Sequence, residues 1–180
     1  MYLGPELSIV IPTFNEKDNV QLIVQKLRRI LAKVRWEVIF VDDNSRDQTA
    51  QLIKKIGQKD FRVRIIHRIG RRGLASAAVE GMLASTAPYI LLMDADHQHD
   101  ETLIPQMLTK LKKNHLDLVI GSRFIDNAQS SSMGYFRFQV SQLANKISNA
   151  YIAYDVKDMM SGFFLLKSSV IINTAPYLSN

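Results

Sequence analysis

The stretch that decides the reading is Tyr89-Ile90-Leu91-Leu92-Met93-Asp94-Ala95-Asp96-His97-Gln98-His99. Four apolar residues in a row read as a buried strand. The Asp-x-Asp that follows puts two carboxylates at a strand end, where α/β sheets bind their ligands. If the extended backbone continues, Asp94, Asp96 and Gln98 project to one side, because side chains alternate with a period of two. Three hard oxygen donors of this kind suit Mg2+ or Mn2+ better than zinc. The competing reading of the motif alone is a solvated acidic strand end.

Working outward, apolar runs alternate with amphipathic stretches along the whole chain. Leu7–Ile11 reads as a strand ended by Pro12, and Trp36–Val41, Val63–Ile66 and Leu118–Ile120 read as further strands. Gly162–Leu166 reads as a last one. Between them, Val20, Ile23, Val24, Leu27, Leu31 and Val34 fall on one helical stripe beginning near Glu16. Ser45 with Gln48 has capping-box spacing for a helix through Ala50, Ile53 and Ile56. Gly73–Thr86 reads as an Ala-rich helix, Leu103–Leu111 as an amphipathic one, and residues 138–154 as a long one. Residues 126–134 form a polar stretch without a period, read as a loop able to act as a lid. The pattern predicts an α/β, Rossmann-like, mostly parallel sheet with helices on both faces.

That topology places the loops after the first five strands on one edge. They hold Pro12-Thr13-Phe14-Asn15-Glu16, Asp42-Asp43-Asn44-Ser45, Arg68 to Gly73, Asp94-Ala95-Asp96 and Gly121-Ser122-Arg123. Such clustering of unusual polar residues favours a functional edge over scattered surface charge.

Composition bounds the function. The chain has 180 residues, 47% of them hydrophobic, which suits one domain with a sizeable core. It has no cysteine, so disulfides, thiolate metal sites and cysteine nucleophiles are excluded. No apolar run approaches the ~20 residues of a membrane span, and the N-terminus lacks signal-peptide character. The net charge of +6 lies wholly in residues 1–90, which hold 15 Lys/Arg against 9 Asp/Glu. The densest basic stretch runs from Lys54 to Arg72. Lys54, Lys55 and Lys59 are read as solvated, and Arg68, Arg71 and Arg72 as functional because they share a loop with glycines. An anionic membrane surface or a phosphorylated substrate fits this charge. Nucleic acid does not, since no nucleic-acid motif is present and the acidic edge would repel phosphates.

Ile11-Pro12-Thr13-Phe14-Asn15-Glu16, Val41-Asp42-Asp43-Asn44-Ser45, Gly73-Leu74-Ala75-Ser76-Ala77, Met93-Asp94-Ala95-Asp96, Gln98-His99, Gly121-Ser122-Arg123 and Met160-Ser161-Gly162-Phe163 resemble the motifs of glycosyltransferase family two, in the family's order. Within it the resemblance is nearest to the polyprenyl-phosphate (dolichol-phosphate) mannose synthases. It implies a GT-A fold and an inverting transfer of a hexose, mannose first, from a nucleotide-diphosphate sugar to a polyprenyl or dolichyl phosphate. The donor would be GDP-mannose or a UDP-sugar. It further implies that Pro12, Phe14, Asn15, Glu16, Asp42, Asp43 and Asp94 hold the donor, with Asp94, Asp96 and Gln98 on a Mg2+ or Mn2+ ion. Asp96 and Arg123 would be catalytic, and Arg123, Ser161 and Gly162 would meet the acceptor. Alternatives stay open at several of these: core packing for Phe14, a helix cap for Asn15, a simple turn for Gly162.

Two departures qualify the resemblance. His97 stands where the family usually has an aliphatic residue. The chain also stops at Asn180, before the family's Gly-x-Lys segment and the C-terminal membrane helices of many members. The expectation is therefore one GT-A domain over 1–180, shortened at its C-terminus, cytoplasmic and peripheral at the inner face of the membrane, with the oligomeric state open. A UDP-glucose-type transferase and a non-catalytic nucleotide-binding relic are the competing readings.

Overall fold

A computed structural model describes residues 4–121 and 161–177. Ser122, Arg123, the polar stretch 126–134 and the expected helix 138–154 lie outside the described residues. Six strands form one sheet in the order β3-β2-β1-β4-β6-β5. They are β1 (Leu7–Thr13), β2 (Trp36–Asp42), β3 (Val63–His67), β4 (Tyr89–Leu92), β5 (Leu118–Ile120) and β6 (Phe164–Lys167). The first four run parallel, while β6 is antiparallel to both β4 and β5.

Every residue of β2 is buried, and so is all of β1 but Pro12, as a central parallel strand covered on both faces requires. Alternation along β1 divides the core. Leu7, Ile9 and Ile11 join the cluster under α1 (Lys17–Ile30), α2 (Thr49–Gly57) and α4 (Ile104–Lys113). Val10 joins the opposite cluster, with Ala77, Ala78 and Met82 of α3 (Leu74–Leu83) and Ile171 of α5 (Ser168–Thr174). Small residues let α3 lie close to the sheet. A Cβ on Gly81 would collide with Val10 and stand 2.7 Å from Val41 Cγ2. The stripe expected on α1 is the buried one, through Val20, Ile23, Val24 and Leu27, and Leu31 at its C-terminus is fully buried.

Two local expectations are corrected. Pro12 does not end β1, which pairs through Pro12↔Val41 to Thr13↔Asp42. The carbonyl of Val10 accepts from Met93 N on the β4 side, and that of Thr13 accepts from Asp43 N on the β2 side. By alternation Pro12 faces β4, whose register with β1 stops at Leu92, so its missing N–H breaks no ladder bond. Ser45 is no helix cap either. The residue before α2 is Gln48 in a left-handed conformation (φ 72°) without a side-chain cap. The Ser45 hydroxyl instead donates to Asp42 Oδ1 and accepts from Asn15 N at 2.8 Å.

Candidate active site

The carboxyl ends of β1 to β4 carry an open pocket of about 260 Å3, lined by Pro12, Thr13, Phe14, Glu16, Asp43, Leu74, Asp94, Ala95 and Asp96. Strand order reverses here: the chain moves from β1 outward through β2 and β3, then returns across to β4. A sheet of this kind leaves its crevice at that switch point. Sequence reasoning placed the site on this edge from the alternation of elements, and the pocket lies there.

One wall is the β1–α1 loop. Asn15 adopts φ 60°, and its Oδ1 accepts from Arg46 N at 3.0 Å. It is therefore a clasp between two loops and not the cap of α1. The amides opening α1 are satisfied from the β2–α2 loop: Glu16 N donates to Thr49 Oγ1 and Lys17 N to Asp47 Oδ2. Slight burial pushes the Asp47 carboxyl up, but hydrogen bonds from the Thr49 hydroxyl and the amides of Lys17 and Thr49 hold it below its usual value. With its loop pinned, Phe14 stays 46% exposed, which excludes the core-packing reading. The Arg72 guanidinium lies 4.7 Å from its ring centroid.

The two aspartates after β2 separate by role. Asp42 is fully buried, accepting from Ser45 N, the Ser45 hydroxyl and the Thr13 hydroxyl, and it does not line the pocket. Asp43 does line it. Its Oδ1 accepts from Arg68 Nη1 at 2.7 Å and its Oδ2 from Gly73 N at 2.8 Å. Gly73 sits at φ 137°, a conformation that only glycine adopts without strain.

Arg68 corrects the reading of the basic loop. It is 2% exposed and wedged among Asp43, Ser76, the Gly73 carbonyl and Glu80, so it meets no membrane or solvent phosphate from the surface. Arg71 pairs with Glu80, Arg62 with Asp60, and Arg64 with Glu37. Much of the apparent basic stripe is thus neutralised, by Glu37 and Asp43 from well before it, by Asp60 within it and by Glu80 of α3.

The other wall is the Asp-x-Asp turn. The backbone is not extended here as expected: β4 ends at Leu92, residues 95–97 bend, and His97 takes φ 61°. Asp96 Oδ1 accepts from Gln98 N at 3.0 Å, folding the segment into a tight turn. Asp94 and Asp96 both reach the pocket, whereas the exposed Gln98 does not line it. Asp94 Oδ2 is held 3.1 Å from His99 Nε2, and the His99 ring stacks on Phe163 with centroids 5.0 Å apart. Gly162 closes the back: a Cβ there would stand 3.0 Å from Asp94 Oδ2. It is therefore a close-approach glycine, not merely a turn. Ser161 is buried, its hydroxyl donating to the Gly121 carbonyl at 2.9 Å, and it fixes this segment instead of facing the pocket.

Behind the turn, Lys26 Nζ of α1 donates to Glu101 Oε1 at 3.0 Å, and His97 Nδ1 lies 3.3 Å from both groups. Burial pushes the Glu101 carboxyl up, but the Lys26 ammonium, the backbone amide and His97 together hold it below the ordinary value. Sequence reasoning missed Lys26, Glu101 and the His99–Asp94 contact. No local pattern signalled them, since His97 lies in a turn and Lys26 comes from another helix.

The model of glycosyl transferase family 2 matches residues 8–174. The chain belongs to that family. Among relatives, it is 30% identical over 168 residues to the dolichol-phosphate mannosyltransferase of Pyrococcus furiosus, covering 92% of this chain and 47% of the relative. It is likewise 30% identical over 176 residues to the dolichol-phosphate mannosyltransferase of Saccharomyces cerevisiae, covering 95% and 64%. The chain thus spans about half to two-thirds of the length of these relatives. Among solved structures, glucosyl-3-phosphoglycerate synthase of Mycobacterium tuberculosis with Mn2+, UDP-glucose and phosphoglyceric acid aligns with a TM-score of 0.67 at 18% identity, over 93% of this chain and 58% of that one. A mannosyltransferase of Pyrobaculum calidifontis with GDP-Man and Mn2+ aligns at 0.65 and 16%, over 95% and 47%. The fold is GT-A. Among the described residues no helix is long and apolar enough to cross a membrane.

Proposed function

We propose that this family member transfers a hexose, mannose first, from GDP-mannose to a polyprenyl or dolichyl phosphate, with inversion at the anomeric carbon. The observation carrying the reading is that Asp43, Asp94 and Asp96, together with the exposed ring of Phe14, share one open pocket at the switch point of the sheet. The mannosyltransferase names of the relatives favour the sugar and the acceptor.

The donor set fits a hard divalent cation. Asp94 and Asp96 offer two carboxylates beside open space, and among the described residues no cluster of three or more His, Cys, Asp or Glu forms a ready-made cage. Mg2+ and Mn2+ are commonly bound in this way, by one or two carboxylates plus substrate phosphates. When bound, the ion would neutralise the diphosphate and stabilise the departing nucleoside diphosphate. The chain's own residues do the rest. Phe14 offers a face for the base, and Asp43 offers acceptor lone pairs to base or ribose donors. His99 holds Asp94 in orientation. An acceptor phosphate oxygen bonds to the anomeric carbon as the bond to the diphosphate oxygen breaks, and the nucleoside diphosphate leaves with the electron pair. The phosphate is already anionic, so no general base is assigned and positioning carries the rate. Arg123 is assigned to the acceptor phosphate on its motif, where a guanidinium fork suits phosphate oxygens. The positive charge left unpaired in the first half, exposed Lys54, Lys55 and Lys59 among it, is assigned to peripheral contact with an anionic leaflet.

Calorimetry with GDP and UDP tests the site. GDP should bind in the presence of Mn2+ and bind far more weakly after chelation or in Asp96→Ala. Equal affinity with and without metal would refute the assignment, and a preference for UDP would move the donor to a UDP-sugar.

A further inference from the structure

We infer that Lys26, Glu101 and His97 form a brace that sets the position of Asp96, making Lys26 and Glu101 positioning residues for the cation and diphosphate; the inference rests on the reading of the site given above. The brace joins the two walls of the pocket. Lys26 belongs to α1, the helix that emerges directly from the Phe14–Glu16 wall. Glu101 opens the 3-10 turn Glu101–Leu103 that follows the Asp-x-Asp segment, itself capped by Asp100, which accepts from Thr102 N. Both oxygens of Glu101 accept from Lys26 Nζ, at 3.0 and 3.3 Å. Glu101 is 6% exposed, and Lys26 is the one cation bonded to it among the described residues. A buried carboxylate with a single cationic partner holds that partner firmly, because losing it leaves a charge uncompensated.

His97 transmits the constraint. It stands between Asp96 and Gln98 in a left-handed conformation uncommon for a side chain with a Cβ. Such a conformation persists where its surroundings over-determine it. Here the surroundings are the Lys26–Glu101 pair, which lies 3.3 Å from Nδ1 on both sides: with a proton Nδ1 donates to Glu101, and without one it accepts from Lys26. Holding His97 in this conformation turns the chain so that Asp96 closes its turn onto Gln98 N and faces the pocket. An aliphatic residue at 97 would give up both contacts.

The test uses the full chain and measures Mn2+ affinity in the presence of GDP by electron paramagnetic resonance, with melting temperature recorded in parallel. Lys26→Met should lower the affinity by about tenfold or more, the scale of losing a group that orients a metal ligand. Lys26→Arg should restore most of it, and Glu101→Gln, which keeps the shape, should fall between. Arg28→Met is the control. Arg28 lies on the same helix but pairs with Asp60, away from the Asp-x-Asp turn, so its loss should lower the melting temperature and leave the affinity unchanged. If Lys26→Met does not fold, Glu101→Gln carries the test. Wild-type affinity in the Lys26 and Glu101 variants, or an equal loss in Arg28→Met, would overturn the brace alone. No Mn2+–GDP binding by the wild type would overturn the reading of the site and the brace with it.

Discussion

Replacing Gly162 with alanine would set a methyl group against Asp94. The new Cβ would stand 3.0 Å from Oδ2, 3.5 Å from Oδ1 and 3.6 Å from Cγ, where ordinary contact begins at 3.4 Å. The φ of Gly162 lies outside the left-handed region, so the backbone accepts alanine and the whole cost is steric. Asp94 must yield by about 0.4 Å, and it must do so while tied to His99, whose ring is stacked on Phe163, the neighbour of Gly162. Disturbing a group that orients a metal ligand typically costs about 10- to 100-fold in metal affinity, and a shift of about 0.4 Å that keeps the ligand should fall near or below the low end, roughly five- to tenfold. Stability should move little, because Gly→Ala gains about 0.4–1 kcal/mol through the unfolded chain and offsets the strain. The assay is a Mn2+ titration at fixed GDP beside a thermal melt. Weaker Mn2+ binding at an unchanged melting temperature is the expected signature. Wild-type affinity in Gly162→Ala would refute the argument that this glycine exists to let the backbone approach Asp94.

Two further outcomes concern the scaffold. The Arg62 hydrogen bond, against the opposing effect of burial and with help from Arg28, lowers Asp60 from 3.8 to about 2. A depressed carboxylate stabilises the fold above its unfolded value and loses that contribution as pH falls from about 3.8 through about 2. After discounting for the partly exposed arginines, Asp60→Asn should cost about 1–2 kcal/mol at neutral pH and flatten the acid limb of a stability–pH curve; an unchanged acid limb would contradict the pairing. Gly81→Ala overpacks α3 against Val10 and Val41 at a cost of about 1–3 kcal/mol, against at most ~1 kcal/mol of added helix propensity. Its urea midpoint should fall, and a midpoint above wild type would contradict the close packing.

The sequence revealed the sheet because its strands are short apolar runs buried on both faces, a pattern that tertiary context rarely overrides. It revealed the edge of the site for the same reason, since alternation of strand and helix orders the loops. It could not reveal which polar residues face inward. Asp42 and Asp43 are adjacent and chemically identical, yet one is consumed by Ser45 and Thr13 while the other lines the pocket. Arg68 reads as a surface cation until Asp43 and Glu80 are brought to it from 25 residues before and 12 after. Ser45 has the spacing of a helix cap, but its hydroxyl is taken up by Asp42 and by the amide of Asn15, 30 residues away. In the Asp-x-Asp segment both carboxylates reach the pocket, but not by the alternation of an extended strand, because a turn presents them.

The most direct test of the central claim is transfer itself. Purified chain, Mn2+ or Mg2+, labelled GDP-mannose and a short polyprenyl phosphate should give a mannosyl-phosphoryl lipid whose formation needs the metal and falls by at least about 100-fold in Asp96→Ala. Metal-dependent binding of GDP without transfer from any nucleotide sugar would contradict the assignment as a transferase and leave a nucleotide-binding domain in its place.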